Sequence, residues 1–385
     1  VRSLELACGI VLGSEAPAPW PPGGPAQTPA AALEAAILSA LRRPPCLVSF
    51  SGGRDSSLVL AAATRLARHE GLPDPIPATN RVAGAPAADE ARWQELLVRS
   101  LSLREWELCR HIDELDAVGP YAQRLLRAHG LLWPFNAHFH LPLIDAARGG
   151  SLLTGIGGDE LFAAVRRSRL TAVRTLRARP ERRDPGRAAL ALAPAAVRAR
   201  VLERRLPIDF PWLREHAARA ALRELAATAA REPRALGARV RWYRSLRYVR
   251  VSLSSLDAPA RRGDVEIVHP LADAALWRAV ERLAAPHGFA DRTAGVRQAF
   301  GDLLPPELAS RPDKASFDEV FFSRHARAFA DAWDGGGVPE ELVDAEALRR
   351  HWRSGTPRAQ SFSLLQAAWL SSAGDRAEQP VGDLG

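Results

Sequence analysis

Apolar positions in the first 165 residues alternate between short continuous runs and helically spaced stripes. Ala31–Arg43 carries its apolar residues at helical spacing, and Cys46-Leu47-Val48-Ser49-Phe50 reads as a short buried strand. A glycine turn follows at 52–53, and Ser56–His69 has the pattern of an amphipathic helix. Pro75–Val82 predicts a second strand, Glu90–Leu101 a helix, Glu105–Cys109 a third strand and Tyr121–His129 a helix. A loop is expected at 133–142, then a helix ending at Gly149-Gly150. Ser151-Leu152-Leu153-Thr154 forms a fourth strand running into Gly155. Strands alternating with helices predict an α/β fold, a parallel sheet with helices on both faces. Ligands in such sheets sit beyond the carboxyl ends of the strands, where both glycine-rich turns fall.

The flanks read differently. Leu4–Leu12 is apolar and suggests a strand or strap, and 14–30 is a Pro/Gly/Ala connector. Between 166 and 250 there are 23 Arg against seven Asp and Glu, which predicts an arginine-rich helical subdomain. From Val265 the chain is again apolar and helical, through Leu276–Leu283, Val296–Leu304 and Phe362–Leu370. The expected division is 1–30 strap and linker, 31–164 α/β core, 165–260 helical insertion, 261–370 helical C-terminal part and 371–385 tail. A net charge of +8 favours anionic ligands. Cys8, Cys46 and Cys109 are too scattered for a metal site or disulfide framework, which points to a reducing cytoplasm. No apolar run reaches the length of a membrane helix.

Candidate chemistry begins at Ser51-Gly52-Gly53-Arg54-Asp55-Ser56. A strand, a glycine turn and a helix N-terminus gather backbone N–H groups around one point, where an anion binds well. Ser51 and Ser56 add hydroxyl donors. Asp55 would repel phosphate unless a cation lay between them, which makes it a candidate Mg²⁺ ligand. An ordinary strand-to-helix turn capped by Ser or Asp is the alternative. The motif resembles the S-G-G-x-D-S loop of the PP-loop ATP pyrophosphatase superfamily. That resemblance implies an adenine nucleotide α-hydrolase-like fold and cleavage of ATP between its α and β phosphates.

Thr154-Gly155-Ile156-Gly157-Gly158-Asp159-Glu160 resembles a second segment, S-G-x-G-x-D-E, of the asparagine synthetase family's synthetase domain. The resemblance implies that Asp159 joins Asp55 in binding Mg²⁺ and that Thr154 and Gly155 approach the nucleotide. At the x position the glutamine-dependent members carry glutamate and the β-lactam-forming relatives a tyrosine that takes part in proton transfer. Ile156 can do neither, so Glu160 or a residue of the arginine-rich region is the candidate replacement. Residues 264–273, with His269 where an arginine is common, and Val296-Arg297-Gln298-Ala299-Phe300 through Arg311-Pro312-Asp313-Lys314 are similar to the family's C-terminal segments. Thr293 stands where the family commonly has a lysine, with Arg292 as the candidate substitute. Lys314 is the only lysine among 52 basic residues. A bias toward arginine would spare a lysine where a compact ammonium is needed, as at a phosphate and a developing oxyanion. By resemblance Lys314 is the catalytic cation.

Only about fifty residues precede the first loop, so the glutaminase domain of glutamine-dependent members is expected to be missing. The expected enzyme uses ATP and Mg²⁺ to adenylate a small-molecule or peptide carboxylate, a precursor peptide among the candidates, and passes the acyl group to an amine. The T-G-x-G-G-D-E and R-x-x-K forms resemble most the lasso-peptide cyclases and β-lactam synthetases, which close an amide within one substrate. An ammonia-dependent asparagine synthetase-like enzyme, a tRNA-modifying ligase and a degenerate binding protein remain alternatives. Membrane and nucleic-acid partners are not expected.

Overall fold

The four expected strands form, and a fifth joins them, in a computed structural model that describes residues 1–16, 19–20, 27–311 and 315–378, with side chains as far as 374. They are β1 (Cys46–Ser49), β2 (Ile76–Val82), β3 (Glu107–His111), β4 (Ser151–Leu153) and β5 (Glu266–Val268), all parallel in the order β3-β2-β1-β4-β5. Register pairs Leu47 with Ile76, Val48 with Leu153 and Leu152 with Ile267.

Successive strand residues face opposite sides, and each side is covered. Val48 and Leu153 pack with α2 (Pro29–Leu41) and α3 (Arg54–His69), including Ile37, Leu58 and Ala62. Between these and the next face come α4 (Ala91–Ser100), α5 (Pro120–His129) and α6 (Leu141–Ala146). Leu47 and Leu152 face the other way, against Leu125 of α5 and Leu143 and Ile144 of α6. The chain leaves β1 toward β2 and β3, then returns to build β4 on the other flank. The carboxyl ends of β1 and β4 therefore border the crevice where such sheets bind ligands.

Three expectations need correction. The segment around Leu4–Leu12 holds a helix, α1 (Ser3–Cys8; the labels run on in chain order), ended by Gly9 in the left-handed conformation at φ 68°. Leu4, Ala7 and Cys8 have helical spacing, and the apolar run concealed it. Glu5 lies buried there, bonded by the N–H groups of Arg2 and Leu12 at 2.8 and 3.0 Å and by the Arg247 guanidinium. The region from Val265 onward is not wholly helical, because 266–268 form β5. Three residues are too few to show a period of two. The loop at 133–142 is the 3-10 turn Phe135–His140 running into α6.

After α7 (Gly158–Ala164), the arginine-rich stretch is helical as expected: α8 (Arg169–Arg174), α9 (Asp184–Leu192), α10 (Ala195–Glu203), α11 (Glu215–Ala230), α12 (Leu236–Ser245) and α13 (Arg247–Arg262). Several of its arginines are internal ties. Arg239 is buried and donates to the carbonyls of Ala164 (2.7 Å) and Arg166, while Arg169 and Arg187 both grip Asp184. Next come α14 (Ala274–Ala284) and α15 (Arg292–Phe300). Among the described residues no helix is long and apolar enough to cross a membrane.

Candidate active site

Ser51 lies two residues past the end of β1, and α3 begins at Arg54 with Gly53 as its N-cap, two residues earlier than the amphipathic pattern suggested. Gly52 sits at φ 83°, and a Cβ there would lie 2.9 Å from Gln94 Cγ. Both the left-handed backbone and the close side chain require glycine. The loop is braced from within: Ser51 N–H donates to Ser56 Oγ at 3.3 Å, and Ser56 Oγ donates to the Gly53 carbonyl at 3.1 Å. Gln94 of α4 adds a bond to the Ser51 carbonyl at 3.1 Å.

The second glycine turn docks against the first. A Cβ on Gly155 would lie 2.8 Å from the Ser56 nitrogen, and one on Gly158 would lie 2.5 and 2.7 Å from Asp55 Oδ1 and Oδ2. Glycine at these positions lets the turn after β4 press onto the start of α3. Asp55 and Asp159 consequently meet at one cation, the Arg292 guanidinium, which donates one nitrogen to each carboxylate. Arg292 thus takes a bridging role, while Thr293 turns away and donates to the Ala309 carbonyl at 3.0 Å.

Burial and Arg292 act on Asp55 in opposite directions. Burial pushes the Asp55 carboxyl above its ordinary range, and Arg292 does not fully offset this. Burial opposes the Arg292 charge, but Asp55 and Asp159 outweigh it and hold the guanidinium above its ordinary range. Arg54 lies close by and is lowered by burial and by Arg292, the mark of crowded positive charge. Among the described residues no group of three His, Cys, Asp or Glu could hold a metal unaided. Two carboxylates suit Mg²⁺, which completes its shell with phosphate oxygens and water.

A buried carboxylate that sequence reasoning passed over backs the loop. Glu90, just before α4, accepts from both terminal nitrogens of Arg311 (2.7 Å for Nη2) and from the N–H of Ala315 at 2.9 Å. Arg311 also donates to the Gly52 carbonyl at 2.9 Å. The only signal was the resemblance at Arg311, which had no partner named for it. Lys314, placed between these anchored positions in sequence, lies outside the described residues, as do Pro312 and Asp313.

Thr154 is buried, and its hydroxyl meets His269 Nδ1 at 2.6 Å and accepts from Ile156 N–H at 3.3 Å. It positions His269 and the turn, with its hydroxyl already engaged. Burial, with His140 nearby, pushes His269 down to about 4, so its ring is neutral at physiological pH. At the carboxyl ends of β2 and β3 a cavity of ≈ 450 Å³, bordered by Val82, Glu90 and Gln94, could hold a nucleoside beside the loop. On the opposite side, Tyr248 of α13 bonds to Glu160 at 3.1 Å. Burial raises the Glu160 carboxyl, and Asp159 and Asp55 add to the rise.

A sequence model described as Asparagine synthase matches residues 30–372, which takes in both glycine turns, Arg292 and Lys314. No protein with a curated description matches the chain.

Proposed function

The chain belongs to the asparagine synthase family of ATP-dependent carbon–nitrogen ligases that form AMP and pyrophosphate, and on that premise we propose that it closes an amide within one peptide or specialised-metabolite substrate, a macrolactam-type reaction. The observation that carries the ATP chemistry is the docking of two glycine turns that brings Asp55 and Asp159 onto a single cation. A substrate carboxylate oxygen attacks the α-phosphorus of ATP, and the bond to the bridging oxygen breaks as pyrophosphate leaves. The N–H groups and hydroxyls of Ser51–Ser56 receive the pyrophosphate, and Arg54 and Arg292 surround it with positive charge. Mg²⁺, held by Asp55 and Asp159, would supply further compensation for phosphate charge. An amine nitrogen then bonds to the acyl carbon of the adenylate, and AMP departs with the electron pair. By resemblance, Lys314 stabilises the charge that develops in this transfer.

Support for a peptide-sized substrate comes from the arginine-rich helices. A groove of ≈ 820 Å³ there combines Arg182, Arg183, Arg187 and Arg205 with Leu190 and Val197, a surface that fits an extended chain with acidic and apolar groups. Expected products from a panel of peptide carboxylates and α-labelled ATP are AMP and an amide lighter than the substrate by one water. Release of ADP would reject the adenylation scheme, and uptake of isotopically labelled ammonia would reject ring closure.

A further inference from the structure

A cavity of ≈ 640 Å³ opens among α5, α6 and the end of α13, on the side of the sheet away from α2 and α3. Arg148, Arg262 and Gly263 on its border come just ahead of β4 and β5, so it reaches the amino ends of those strands, whereas both glycine turns follow carboxyl ends. Its floor is apolar: Leu125, Leu141 and Ile144 are buried against the Leu47 and Leu152 face of the sheet, with Pro259 beside them. Its rim is cationic. Arg124, Arg127, Arg148 and Arg262 stand against the single carboxylate of Asp145, four guanidiniums to one acid, an excess of three positive charges. The three helices end here, and roughly half a negative charge at each C-terminus offsets about half of that excess. Three of the arginines are engaged: Arg124 donates to Asp145 at 2.6 Å, Arg148 lies 3.7 Å from the same carboxylate, and Arg127 rests on the Trp369 ring, 5.1 Å from its centroid. The guanidinium of Arg262 has no hydrogen bond or ion pair among the described residues. Its charge bears on His129 instead: burial and Arg262 both push that ring below its ordinary value, and no carboxylate opposes them.

We propose that this cavity is a binding site for an amphiphilic carboxylate, its one anionic group on Arg262 and its aliphatic or aromatic body on Leu125, Leu141, Ile144 and Pro259. The single unengaged guanidinium selects one anionic group, and its planar fork matches the two oxygens of a carboxylate. The His129 ring on the same rim can donate an N–H to that group. A volume of ≈ 640 Å³ is that of a small-molecule pocket, and such pockets pair an apolar lining with a few placed polar groups. Inorganic phosphate would leave the apolar floor uncovered, and an uncharged hydrocarbon would leave Arg262 unanswered. The site shares no residue with the catalytic crevice.

The test titrates octanoate, with 1-octanol as its uncharged counterpart, into the full chain by isothermal titration calorimetry. Wild type should bind octanoate about tenfold more tightly than octanol, the worth of one charge-assisted hydrogen bond. Arg262→Gln should bring octanoate down to the level of octanol. Arg261→Gln removes a neighbouring exposed arginine that does not line the cavity, and should leave both affinities unchanged. Ala128→Trp places an indole in the cavity from the exposed face of α5 and should weaken both probes. All three substituted side chains are exposed, so the fold does not depend on them. Equal affinity of the two probes for wild type, a preference that survives Arg262→Gln, or an equal loss in Arg261→Gln overturns the proposal. So does binding that Ala128→Trp leaves untouched.

Discussion

Gly158→Ala tests the docking of the two turns. Its added Cβ would stand 2.5 Å from Asp55 Oδ1, whereas ordinary contact begins at 3.4 Å. Asp55 must therefore retreat by roughly 1 Å, a displacement of the size that costs about a hundredfold in rate when it moves a reacting assembly. A hundredfold corresponds to about 2.7 kcal/mol of transition-state stabilisation. Overpacking should also lower stability by about 1–3 kcal/mol, a fall of several degrees in Tm. The rate is measured as AMP release at saturating ATP, and folding by calorimetry. Gly186→Ala is the control, since a Cβ there meets nothing within 4 Å. Should Gly158→Ala turn over within about threefold of wild type while Gly186→Ala does the same, Asp55 does not need its observed place and the argument from turn docking is wrong.

Other perturbations follow from the same contacts. Glu90→Ala removes the carboxylate that meets both terminal nitrogens of Arg311 and the Ala315 N–H and should destabilise the fold by about 3–5 kcal/mol, read by chemical denaturation; an unchanged midpoint would contradict the tie. Arg292→Met removes the cation shared by Asp55 and Asp159, so Mg²⁺ should raise its Tm more than it raises that of wild type, and equal increments would argue against a shared cation site. Lys314→Arg should lose most turnover while keeping ATP affinity; near-native rates in that variant refute the need for an ammonium. Burial opposes ionisation of Glu5, but the N–H groups of Arg2 and Leu12 and the Arg247 and Arg2 guanidiniums outweigh it and pull the carboxyl from 4.5 to about 2. The stability from this lowered value is present above pH 4.5 and is lost as pH falls toward 2, so acid denaturation of Glu5→Gln should be shallower than that of wild type across that window.

The first glycine turn was legible because everything that defines it is local: a buried run, two glycines and a helix start within a dozen residues. The second turn was legible for the same reason. What lay hidden is carried by pairs far apart in sequence. Glu90 and Arg311 are 221 positions apart, and nothing in the periodicity around either one announces a partner. Tyr248 sits in a stretch whose arginines dominate any reading, yet its hydroxyl reaches Glu160. Strand β5 escaped because its neighbour β4, rather than its own pattern, specifies it. Thr154 carries a further contact of this kind, its hydroxyl meeting His269 from 115 positions away.

Because Arg311 and Ala315 both end on Glu90 and Arg311 grips the Gly52 carbonyl, the ATP loop acquires its backing only when the last fifth of the polypeptide has emerged from the ribosome. A nascent chain that has completed β1 to β4 still lacks these contacts behind its first glycine turn.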